Sequence, residues 1–220
     1  MAIAFGASTG NEFTAATSYT QSAVSVSGTN TYALVMVGLR TNTGDITGVT
    51  FNGVAMTELS QLNNAGGTHT LWMFGLAGPT TGDVVVTGDT SLAAEVITSI
   101  YTGVHQTTPT GTVATATGNS TAPSVAVTSA ALELVVDHAG WNSGAGQIDV
   151  GAGQTERKRS PASGDGISMN TASSDEAGAA SVTMSWTIVT SQWLIQGVPL
   201  KPAPVINSNF LTFFGPQPQQ

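Results

Sequence analysis

The chain has 220 residues, only 8 % of them charged, and its five basic residues against thirteen acidic ones leave a net charge of −8. So few cations exclude a surface that neutralises phosphates, hence a nucleic-acid partner, and they disfavour an anionic membrane. A hydrophobic share of 40 % excludes a disordered chain, and the lack of cysteine excludes disulfides and thiolate metal sites.

MAIAFGASTGNEFTAAT (1–17) has neither a basic leader nor a continuous apolar run, so no secretory signal is expected, and the segment reads equally as a linker or an edge strand. TYALVMVGLR (31–40) is apolar on both faces and predicts a buried central strand. VTFNGVAMTEL (49–59) holds Asn52-Gly53 between apolar arms, a strong hairpin signal. THTLWMFGLAG (68–78), DVVVTGD (83–89) and AAEVITSIYTGV (93–104) continue as strands, the last by its Val, Ile, Thr and Tyr content. HQTTPTGTVATATGNST (105–121) reads as a long polar connection. PSVAVTSA, ALELVVDHAGW, QTERKRS, GISMNTASS, SVTMSWTIV and QWLIQGVPLKP then bring the total to about a dozen strands with turn residues between them. Strand following strand without helices excludes parallel βαβ folds. The expected fold is therefore all-β: an antiparallel two-sheet β-sandwich, jelly-roll-like, over residues 1–202, without a fixed-period internal repeat. KPAPV (201–205) marks an exit, and 203–220 is expected to be an extended C-terminal arm.

Catalytic chemistry finds little support. His69, His105 and His138 lie far apart in sequence, and no pair has metal-ligand spacing. Asp137 and His138 are strand neighbours that face opposite ways, which argues against a triad. Glu133 and Asp137, read on one strand, stand about 13 Å apart at 3.3 Å per residue, beyond glycosidase spacing. Asp175-Glu176 reads as a solvated turn and Arg157-Lys158-Arg159 as a solvated strand or turn. No catalytic residue, metal site or cofactor is expected. Trp72 and Trp186 fit a core. Trp141, followed by NSGAG, reads as an ordinary packed ring or as a candidate ligand-stacking ring at a loop rim.

Taken as a set, VTFNGVAMTEL, HTLWMFGLAGPTTGDVVVT, SIYTGVHQTTPTGTVATATG, LELVVDHAG, VGAGQTER, EAGAASVTMSWT and QWLIQGVPLKP resemble a β-sandwich domain of tailed-phage virion accessory proteins, also met in bacterial surface proteins. The resemblance spans about residues 30–202. It implies a capsid decoration or cement protein at the capsid surface, assembled in the host cytoplasm. Its partners would be the major capsid protein or other virion subunits, together with copies of itself, a trimer at a threefold axis being one candidate. Phe210, Leu211, Phe213 and Phe214 of the arm would then bind a neighbouring subunit, the alternative being an arm that folds back over its own sandwich or frays. The alternative is a carbohydrate- or host-surface-binding module using Trp141 and the 142–152 loop.

Overall fold

The computed structural model describes residues 1–40, 44–64, 66, 68–142, 148–160 and 169–205. Among these residues there are β-strands and no helix. The first half contains β1 (Ala4–Val24), β2 (Tyr32–Leu39), β3 (Ile46–Phe51), β4 (Val54–Ala55), β5 (Thr57–Asn63), β6 (Thr70–Ala77) and β7 (Gly82–Thr102). The second half contains β8 (Ala114–Ser120), β9 (Ser124–Thr128), β10 (Leu134–Trp141), β11 (Asp149–Val150), β12 (Thr155–Ser160), β13 (Asn170–Ala177), β14 (Ser181–Thr187) and β15 (Ser191–Leu200).

The β-sandwich is present, and it is present twice. In the second half one sheet runs β12-β13-β10-β15-β8 and the other β11-β14-β9. The first half has the same order, β5-β6-β2-β7-β1 and β3-β7-β1, because β1 and β7 each serve both sheets. Register breaks at Phe13/Ala16 and Ala16/Ser18 let the paired strands bend from one sheet to the other. The second half does the same work with separate strands, interrupted before β9 by Pro123, which has no N–H to give a ladder. In each half the first strand pairs with the last and the second with the next to last, the pairing of a jelly roll. The sequence shows no repeat at fixed period; what repeats is topology, carried by strand order and pairing rather than by residue identity.

Four layers of strands enclose, among the described residues, three large apolar cores and a small cluster of Leu71, Met169 and Leu194. Val35, Val37, Phe51, Trp72, Phe74 and Val86 fill the first half. Val127, Val135, Trp141, Met184, Trp186 and Ile195 fill the second. Leu34, Met36, Met73, Ile97, Val136 and Val198 join the five-stranded sheets of the two halves. A strand between two cores must be apolar on both faces, and β2 is buried along its whole length. Alternation in β14 buries Val182, Met184 and Trp186, as predicted. The Asn52-Gly53 turn joins β3 to β4 with φ of 47° and 77°, both central residues being left-handed as such hairpins require.

Three expectations are corrected, and one open alternative is decided. Residues 114–120, read as part of a connection, form β8 and pair with β15, small alternating Ala and Thr being enough for an edge strand. The N-terminal segment, open between a linker and an edge strand, is the edge strand, pairing with β7 along nearly its whole length. Asp175 is buried in β13 and receives Arg157 Nε at 2.7 Å and Nη2 at 2.8 Å, so it is not a solvated turn residue. Arg157 also lies 4.5 Å over the Phe5 ring, which closes the corner between β12 and β1. Glu133 sits in a turn ahead of β10, not on the strand with Asp137.

Candidate functional site

Phe210, Leu211, Phe213 and Phe214 lie outside the described residues. Trp141 is inside, and the structure overturns its proposed role. Its side chain is fully buried in the second-half core, pairing across the sheet with Trp193 and Asn170. The strand does end at Trp141, but the three-stranded sheet covers its face, so no ring is offered to a sugar.

The ladders give the molecule two unlike ends. At one end lie the starts of β2 and β10 and the finishes of β6, β7, β13 and β15, since Tyr32 pairs with Ala77 and Tyr101, and Leu134 with Ala177 and Leu200. The Val104–Pro202 and Thr110–Leu200 bridges join the two halves there. The N-terminus is tied to the same place by the Met1 ammonium, which donates to the Ala203 carbonyl at 3.0 Å, and Ala203 N–H donates to Gly103 O at 2.7 Å. The chain's last described residues therefore stand beside its first.

Met1, Val54, Leu132 and Val205 are the large exposed hydrophobics among the described residues, and all four are at this end. Met1, Leu132 and Val205 share one hollow of about 400 Å³ with Ile3, Leu134 and Ala177. Leu132 is presented by a tight turn. Glu133 N–H donates to Ala130 O at 3.1 Å, while Ala130 N–H donates to the Glu133 carboxylate at 2.8 Å. Closing that turn puts Leu132 at φ 74°, a region that suits glycine or asparagine, and leaves its side chain 80 % exposed. Sequence reasoning missed this residue, because Ala130-Ala131-Leu132-Glu133 contains none of the residues that announce a turn.

The opposite end is polar. Asn64 Nδ2 donates to Gln192 Oε1 at 3.2 Å, linking the halves beside a hollow of about 240 Å³ lined by Asn64, Thr117, Asn119 and Gln192. His69 is buried next to it. Burial lowers its pKa and Arg40 pushes the same way, against a side-chain hydrogen bond with Asn142.

Two buried ionisable neighbours lie between these ends. Asp137 accepts from Trp186 Nε1 at 2.7 Å and from the Ser174 hydroxyl and N–H at 2.8 and 2.7 Å. Burial pushes its carboxyl up to about 7, while those three donors pull the other way. His138 faces the opposite core, with Nδ1 3.3 Å from Gln196 Nε2, and burial drives it down to about 3. Both side chains are fully buried and line neither the apolar nor the amide-lined hollow, and their hydrogen bonds brace neighbouring strands. Among the described residues no cluster of His, Asp or Glu is placed to hold a metal ion. No described helix is long and apolar enough to cross a membrane.

Compared with known proteins, the chain matches no family model, no curated protein and no solved structure.

Proposed function

We propose that this chain is a structural virion protein, a decoration or cement protein of a tailed phage, that seats its terminus-bearing end on the capsid lattice or on neighbouring subunits and turns its polar end outward. The observation that carries the reading is the segregation of exposed apolar side chains to the end from which the arm leaves. A free monomer gains nothing from such a patch, whereas a docking protein buries it. Jelly rolls serve as viral capsid and lectin domains, an analogy that raises the reading without fixing it. The resemblance to virion accessory domains supplies the choice of a phage capsid.

Removal of residues 206–220 tests the reading. Three Phe and one Leu side chain would contribute roughly 1.5–3 kcal/mol each before ordering costs, so their loss is expected to lower occupancy on purified particles at least tenfold. Unchanged occupancy would remove the arm from the account. The second reading, a glycan-binding module, draws on the amide-lined hollow at Asn64, Asn119 and Gln192, since amides exchange hydrogen bonds with sugar hydroxyls. It predicts full retention of the truncated chain.

A further inference from the structure

The two jelly rolls supply an internal control for the apolar hollow. Tyr32 and Leu134 hold equivalent places: Tyr32 opens β2 and pairs with the ends of β6 and β7, and Leu134 opens β10 and pairs with the ends of β13 and β15. The backbone ahead of them matches as well. Gly78 N–H donates to Thr31 O at 2.9 Å, and Gly178 N–H donates to Glu133 O at 2.8 Å. Two residues before each strand the chain turns left-handed, at Asn30 with φ 51° and at Leu132 with φ 74°. Asparagine visits that region at small cost and leucine does not.

The surfaces around these two positions are finished differently. On the first half the connector leading into β8 lies over the equivalent hollow, with Gln106, Pro109 and Thr110 lining it and Gln106 Nε2 donating to Thr31 O at 3.1 Å. On the second half the corresponding lead-in is Met1–Ile3, which enters β1, and the rim is Leu132 and Val205 facing solvent. A strained, solvent-facing leucine stands where its structural twin is a half-buried asparagine. Strain of that kind with no return inside the monomer points to a bound partner.

We propose that this hollow receives the Phe210–Phe214 segment from the arm of a second copy of the chain, so that copies exchange arms around a symmetry axis. Fifteen residues follow Val205; none is charged, and they include Phe210, Leu211, Phe213 and Phe214. Val205 is itself a wall of the hollow, so every arm starts beside a hollow of the kind it fits. From Val205 to Phe210 an extended chain reaches at most about 18 Å, enough to step onto an adjoining molecule. The inward route that the connector takes on the first half is filled on the second by Met1–Ile3, with Met1 bound to Ala203 O. An uncharged arm also meets no repulsion from a body that carries the whole net charge of −8. The proposal rests on the arm being a docking element and not on the identity of the particle.

Sedimentation of the free protein, without particles, tests it. The full chain is expected to form a symmetric oligomer and the chain lacking 206–220 to be monomeric. Leu132→Asn, which installs the residue of the structural twin, is expected to weaken assembly at least tenfold, while in the truncated, monomeric chain it leaves the melting temperature unchanged or a few degrees higher. Mixing the full-length Leu132→Asn chain, which keeps its arm, with the truncated chain, which keeps its hollow, is expected to restore a 1:1 complex. A full chain that stays monomeric at every concentration overturns the exchange, even where truncation still costs particle retention. So does assembly that survives the deletion, or a Leu132→Asn chain that assembles normally.

Discussion

Replacing Trp141 with alanine is expected to cost about 3–5 kcal/mol of folding stability, a large part of what a domain possesses. The indole is fully buried among Val135, Ala139, Trp186 and Trp193, and a methyl group in its place leaves a cavity between two sheets that cannot close over it. Among the described residues the indole N–H finds no acceptor in this core. Trp141→Phe, which keeps most of the volume and removes that unmet donor, is therefore expected to cost less than about 1.5 kcal/mol. Urea unfolding of the two variants measures both. A cost near zero for Trp141→Ala would mean that the ring is exposed and would return it to the list of ligand-stacking residues.

The second large effect is a pH dependence concealed by cancellation. The Asp137 carboxyl ordinarily ionises at 3.8 and is pushed up to about 7 in the fold. Between those values the folded state holds the extra proton, so this group's contribution is complete below the lower value and is lost as pH rises through the higher one. His138 ordinarily titrates at 6.5 and is driven down to about 3. Here the unfolded state holds the extra proton, so the contribution is complete above 6.5 and is lost as pH falls. Between roughly pH 4 and 6.5 the two slopes oppose each other one proton for one, and the wild-type chain is expected to show nearly constant stability there. Asp137→Asn retains an acceptor for Trp186 and leaves His138 alone. Its stability is expected to fall with acid by on the order of 1 kcal/mol per pH unit. His138→Gln leaves Asp137 alone and is expected to gain stability over the same interval. Denaturation curves at pH 4.5, 5.5 and 6.5 read the slopes, and a flat Asp137→Asn profile would contradict the assignment.

Much of the fold could be read from residue order. Asn52-Gly53 announced its hairpin because both residues accept left-handed φ, and the continuous apolar run of β2 announced a strand covered on both faces. The duplication was not legible. β2 and β10 hold the same place, yet one is wholly apolar and the other carries Asp137 and His138, whose partners come from β13, β14 and β15. Asp175 resembled a solvated residue because Arg157, 18 positions away, is what makes its burial tolerable. Trp141 was left open between core and loop rim for a related reason: the NSGAG after it describes the chain, whereas its exposure is set by a sheet whose strands come from both before and after it in the sequence. The hollow at Leu132 was invisible because it depends on a backbone angle and on the meeting of the two termini.

The central claim is that the molecule docks through the end bearing its termini, and hydroxyl-radical footprinting on assembled particles tests it most directly. Met1, Leu132, Val205 and the Phe210–Phe214 segment are expected to be less reactive on assembled particles than in the dissociated monomer, while the Asn64, Asn119 and Gln192 end stays as reactive as in that monomer. Protection of the amide-lined end, with Met1 and the phenylalanines still oxidised at the free rate, would contradict it.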